Sequence, residues 1–177
     1  MKVLALDIGR RTGFALGNSV CYGNSKGYGG EVVDSGVWLL DAETVPERFL
    51  QLRSKLLSFK DKSGRCEFQL LAYERPFGIL SRLMAESLHG YATTAILFAM
   101  ENNLRWTRIP PTDIKKHATG SGRANKASMV CEAKLRWPDL SLSDNNQCDA
   151  LWLLDYVCEG LSVLSQNGLS EQCWRSG

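Results

Sequence analysis

Three features of the 177-residue sequence predict an α/β domain with a five-stranded mixed sheet and helices on its flanks. The first is an apolar run of strand length, residues 3–6, that ends on Asp7 and is turned straight back into a second apolar run, residues 13–16. The second is another near-continuous apolar run, residues 68–73, that also ends on an acid, Glu74. The third is the alternation of such runs with segments whose apolar residues recur at helical spacing. Strands without polar alternation are buried on both faces, as in a parallel sheet covered by helices.

In chain order, residues 9–12 form the turn of an opening hairpin, with Asp7 at its mouth. An acid ending a buried strand is held rigidly while meeting solvent; capping the turn is its plainer alternative role. Residues 17–30, rich in Gly, Ser, Asn and Tyr, predict a loop, and residues 32–40 a third strand ending at Asp41. Thr44 and Glu47 have capping-box spacing around Pro46, and Phe49, Leu52, Leu56 and Phe59 continue a helix to about residue 60. A charged turn over 60–65 leads to the strand that delivers Glu74, which Pro76 stops. A helix over 81–101 follows, and its residues 91–100 are apolar nearly all round. That predicts a second subunit over its outer face, the alternative being a core that wraps it. Residues 104–109 form a fifth strand closed by Pro110 and Pro111, then a short helix and a Gly-x-Gly loop reach Lys126. A helix over 126–137 stops before Pro138, and capping-box spacing over 144–147 opens the last helix, with Asp149 in its early turns. Residues 1–167 are expected to be one domain and 168–177 a loose tail.

Composition is ordinarily globular, 44% hydrophobic and 23% charged. The absence of a membrane-length apolar run and of a signal-peptide pattern predicts a soluble cytoplasmic protein. Six cysteines without a C-x-x-C pair and only two histidines argue against a zinc site or a disulfide framework. Net charge is +2, yet residues 105–136 carry eight basic residues against two acids. One basic segment in a near-neutral chain suggests a localised site for a large anion such as nucleic acid; a solvated face is the alternative.

Asp7 and Glu74 end adjacent buried strands, and Asp149 lies where its helix can cross the same sheet edge. Hard divalent cations take carboxylate oxygens, and a pair of such ions can activate water and stabilise a leaving oxygen in phosphodiester hydrolysis. Leu6-Asp7-Ile8-Gly9 with Thr12-Gly13, Tyr73-Glu74-Arg75-Pro76, the basic stretch from Ile114 to Lys126, and Asp149-Ala150-Leu151 together resemble the RuvC-type Holliday-junction resolvases of the ribonuclease H-like superfamily, particularly compact phage-type members. The likeness spans residues 1–161.

The resemblance implies a ribonuclease H-like fold and a homodimeric junction endonuclease using Mg²⁺ or Mn²⁺, two ions per active site, on four-way and other branched DNA. Asp7, Glu74 and Asp149 become metal-binding catalytic acids, and Lys126 joins the catalytic set. Lys115, Lys116, Gly120, Gly122, Arg123 and Lys126 become the DNA-binding set, the lysines meeting phosphates without reading sequence. Phe77 falls where the family places an aromatic that stacks on bases, with ordinary core packing as its alternative. A fourth metal-site residue, Asp or His in the family, is here Asn146, whose amide oxygen can ligate but cannot act as a base. Asp144, two residues earlier, reads as an N-cap. The other readings are a structured-RNA nuclease of the same superfamily, a module that binds branched DNA without cutting, and an actin- or sugar-kinase-like ATP-binding domain. The last needs two such domains, more than 177 residues hold.

Overall fold

The computed structural model describes residues 1–20, 29–78, 81–142 and 144–166. Its elements are β1 (Lys2–Asp7), β2 (Arg11–Val20), β3 (Gly29–Leu39), α1 (Val45–Leu57), β4 (Leu70–Glu74), α2 (Arg82–Glu101), β5 (Arg105–Ile109), α3 (Pro111–Thr119), α4 (Lys126–Arg136) and α5 (Asn145–Gln166). The five strands form one sheet in the order β3-β2-β1-β4-β5. β1 is antiparallel to β2 and parallel to β4, β3 is antiparallel to β2, and β5 is parallel to β4. This is the predicted mixed α/β sheet. The 168–177 tail lies outside the described residues, and among those described no helix is long and apolar enough to cross a membrane.

Side-chain alternation along the central strands splits the core into two layers. Leu4 and Leu6 of β1 and Leu71 and Tyr73 of β4 pack against α1 and α2, with Leu52, Leu56, Tyr91 and Phe98. Val3 and Ala5, with Leu70 and Ala72, face the opposite layer of Ile114, Met129, Ala133 and the α5 residues Leu151, Leu154 and Val157. The central strands therefore have no polar face, which is why their sequences do not alternate.

The expected 17–30 loop is corrected at both ends: residues 17–20 continue β2 and residues 29–30 begin β3. The glycines there serve packing. A Cβ on Gly17 would sit 2.6 Å from the Glu31 carbonyl and 2.8 Å from Leu154 Cδ2, and one on Gly30 would sit 2.9 Å from Cys158 Sγ. Bare backbone is what lets α5 lie close on the hairpin. Elsewhere the boundaries shift by up to three residues, α1 ending at Leu57 rather than near residue 60. The Thr44–Glu47 capping box forms reciprocally, Glu47 Oε2 accepting from Thr44 N at 3.0 Å, and Ser81 caps α2. α2 buries Tyr91, Ala92, Ala95, Phe98 and Ala99 but leaves Leu83, Met84, Leu97 and Met100 exposed, so the core does not wrap it.

Candidate active site

Strand register brings the first two acids together. Leu6 of β1 is paired with Tyr73 of β4, so Asp7 and Glu74, one residue on, end neighbouring parallel strands. By alternation with Ala5 and Ala72 both side chains face the α5 layer. The turn after Asp7 is closed by buried Thr12, whose Oγ1 donates to the Gly9 carbonyl at 2.6 Å and accepts from Gly9 N at 3.3 Å. Gly13 follows for a different reason. A Cβ there would lie 1.9 Å from the Asn146 carbonyl oxygen, so only glycine admits the first turn of α5 against β2.

That first turn is tied down by polar contacts as well. Asp144 Oδ1 accepts from the backbone N and the side-chain Nδ2 of Asn146, both at 2.8 Å, and Asp144 Oδ2 pairs with the Arg11 guanidinium. Those bonds hold the Asp144 carboxyl below the usual carboxylate range. Gln147 Nε2 donates to Ser35 Oγ of β3 at 3.0 Å. Asn146 and Asp149 are thus carried over the strand ends. From the other side, β5 ends at Ile109, Pro110 and Pro111 turn the chain into α3, and this helix brings Lys115 to the same place. Gly120, in the left-handed region at φ 78°, closes α3, and Asn125 caps α4 with its side chain accepting from Ser128 N, which puts Lys126 at the helix start.

The result is a cleft of about 210 Å³ lined by Asp7, Glu74, Asn146 and Asp149, by Lys115 and Lys126, and by Pro111, Ile114 and Met129 at its apolar wall. Burial, then the charges of Glu74 and Asp149, push the Asp7 carboxyl well above its usual range, against the pull of Lys126. Burial and Asp149 push Glu74 up to about 7, opposed by Lys115 and Lys126. Burial also raises Asp149, with Lys126 and Lys115 pulling it back. The lysines therefore offset only part of the crowding, and a further positive charge at the acids would relieve the rest. Among the described residues no group of three His, Cys, Asp or Glu side chains could by itself hold a metal ion. The oxygens lining the cleft, carboxylates and one amide, are the donor type that hard divalent cations take, and so few protein ligands leave room for water or phosphate oxygens to complete the set.

The cleft thus gathers five of the expected catalytic and metal residues, Asp7, Glu74, Asp149, Asn146 and Lys126, together with Lys115. Lys116, Gly120, Gly122, Arg123 and Phe77 are not among its lining residues. Lys116 and Arg123 are exposed, and Gly122 packs against the first turn of α3, where a Cβ would lie 3.1 Å from the Thr112 carbonyl. Phe77 is 64% exposed, which removes its core alternative.

Two supporting groups were not foreseen. One is the Arg11–Asp144 pair. The other is buried Asp155 of α5, which faces His117 Nε2 of α3 at 3.0 Å and accepts from Arg136 of α4 at 3.1 Å, while His117 Nδ1 lies 3.0 Å from Glu159. This network fixes the lysine-bearing helices to the helix that carries Asp149. Its trace in the sequence is an acid, Asp155, inside the apolar stripe of α5. A buried charge there requires a partner.

No family model matches the chain, and none of the curated proteins does. Solved structures do. Thermus thermophilus RuvC superposes with a TM-score of 0.72 at 16% identity, covering 95% of this chain and 97% of that one. T. thermophilus RuvC in complex with a Holliday junction substrate gives 0.75 at 16% identity, over 92% and 96%. The yeast mitochondrial Holliday junction resolvase Ydc2 gives 0.64 at 12% identity, over 93% and 80%. Sheet order, the paired acids at the ends of β1 and β4, and these superpositions give one conclusion: the chain has the RuvC-type, ribonuclease H-like fold.

Proposed function

We propose that this chain is a divalent-metal-dependent, structure-selective endonuclease that resolves four-way DNA junctions by paired symmetrical nicks. One observation carries the reading: Asp7, Glu74, Asp149 and Asn146 open into a single cleft flanked by Lys115 and Lys126. Three crowded acids whose ionisation is opposed by burial suit a cation, and two lysines beside them suit a phosphodiester.

Asp7, Glu74 and Asp149 would hold Mg²⁺ or Mn²⁺, with Asn146 contributing its amide oxygen. Two such ions, when bound, supply an activated water and neutralise charge on the departing 3′ or 5′ oxygen. Lys126 and Lys115 orient the scissile phosphate and offset its charge, Lys126 from the start of α4 and Lys115 from the half-buried face of α3. Lys116, Arg123 and the amides near Gly120 and Gly122 extend the contact along the backbone. Phe77, three residues after Glu74, stacks on an unpaired base at the junction centre, a contact worth ~1–3 kcal/mol, and its exposure supports that role. The exposed Leu97 and Met100 of α2 support a two-fold dimer, whose symmetry would present two clefts to a two-fold junction.

The test is cleavage of a labelled immobile four-way junction, set against linear duplex and an RNA hairpin, in Mg²⁺ and in Mn²⁺. Paired nicks at symmetrical positions on the junction alone support the proposal. Cutting confined to the RNA moves the activity to RNA processing, and tight junction binding with no nicks in either metal leaves a DNA-binding module.

A further inference from the structure

We infer that Asp144, held by Arg11, is a positioning residue that fixes the rotation of the Asn146 side-chain amide so that its oxygen faces the acids of the cleft. The inference rests on the metal-dependent reading of that cleft and adds to it a residue outside the cleft's lining.

A carboxylate can only accept hydrogen bonds, whereas an asparagine amide presents a donor on one side and an acceptor on the other. The two ends are close in size, so rotation by half a turn about the last bond exchanges them at little steric cost. Whether Asn146 offers an oxygen or an NH₂ to Asp7 and Asp149 therefore depends on what it meets on its far side. It meets Asp144 Oδ1, at 2.8 Å from Nδ2. The nitrogen is thereby committed to Asp144, and the oxygen is left for the cleft that Asn146 lines.

Three features keep Asp144 in place to do this. Its Oδ1 also caps α5 through the Asn146 backbone N at 2.8 Å, its Oδ2 is paired with Arg11 at the start of β2, and its backbone carbonyl accepts from Cys148 N at 3.2 Å. Gly13 lets this turn sit directly on β2, so the helix start cannot drift from the acids. An aspartate at position 146 would offer oxygens in either rotation and would need no such partner. The device is specific to asparagine.

The experiment is a Mn²⁺ titration, read by the electron paramagnetic resonance signal of free ion, on four proteins: the unaltered chain, Asp144→Ser, Asn146→Asp, and the double variant. Serine is itself a good N-cap, so α5 keeps its start, and equal melting temperatures check this. Asp144→Ser is expected to weaken Mn²⁺ binding about 10-fold in the Asn146 protein, the usual scale for losing an outer-shell partner of a ligand. In the Asn146→Asp protein the same change is expected to leave affinity unchanged or higher. Equal losses in both backgrounds would overturn the inference while keeping the metal site, because Asp144 would then act by its charge or by helix placement. No loss in the Asn146 protein would overturn it too. Absence of Mn²⁺ binding by the unaltered chain would overturn both the inference and the metal-dependent reading beneath it.

Discussion

The two faces of the sheet divide the work of the molecule. Against α1 and α2 the strands present an apolar layer tied by rings: Phe14 stacks on Trp38 at 4.6 Å between centroids, and Phe59 bridges to Phe68 at 6.1 Å. Against α5 the same strands present mostly small residues, and this layer holds the buried polar groups Gln147, Asp155 and Ser162 as well as the crowded acids. Asp7 and Glu74 belong to the second face only because they fall in step with Ala5 and Ala72 rather than with Leu6 and Tyr73. Both faces bury an apolar cluster that stabilises the fold, and the α5 face also carries charges that oppose it.

The sharpest way to break this contrast is to alter one face at a time. Asp7→Asn should lower the nicking rate by ~10³-fold or more, several kcal/mol of barrier, with junction binding retained in a gel-shift assay. Phe98→Ala, fully buried on the α1–α2 face, should cost about 3–5 kcal/mol in denaturant unfolding and leave nicking by the folded fraction near normal at low temperature. A collapse of catalysis in Phe98→Ala with stability intact would erase the distinction between the faces.

Glycines sharpen it further. Gly13→Ala forces a Cβ into the backbone of Asn146 and should cost about 1–3 kcal/mol, with a fall in nicking because α5 must shift away from the acids. Gly36→Ala meets first the Phe14 ring, 3.0 Å away on the other face, and should cost less and spare the rate. Thermal melts with parallel rate measurements separate the two. The smallest effect belongs to the rim: Lys116→Ala, exposed and outside the cleft's lining, should lower the slope of log affinity against log salt by about 1 in junction binding, a phosphate contact that carries no sequence preference.

The sequence made the two acid-bearing strands legible because each is short, nearly all apolar and abruptly stopped, by a turn after Asp7 and by Pro76 after Glu74. Helix starts were legible where a cap residue announced them, as at Thr44 and Asp144. Gly17 and Gly30 misled because a glycine chosen for close packing looks in sequence like one chosen for a turn, and only α5 lying across the hairpin tells them apart. The Arg11–Asp144 and His117–Asp155 pairs were not legible, being 133 and 38 residues apart in the chain. No periodicity encodes such pairs; they follow from where sheet and helices meet.

Under the proposed function, the three acids are kept together at a cost that a divalent cation relieves. A carboxyl raised to about 7 binds its proton more tightly folded than unfolded, so stability falls as pH rises through the window from the ordinary Glu value to about 7 and stays reduced above it. Asp7 and Asp149 are shifted in the same direction. The most direct measurement is the melting temperature of the unaltered protein and of Glu74→Gln at pH 8, with and without Mn²⁺. Without metal the variant should melt higher, at about 2–4 °C per kcal/mol regained, and Mn²⁺ should raise the unaltered protein more than the variant. A variant that melts lower than the unaltered protein without metal, or equal stabilisation of both by Mn²⁺, would contradict it.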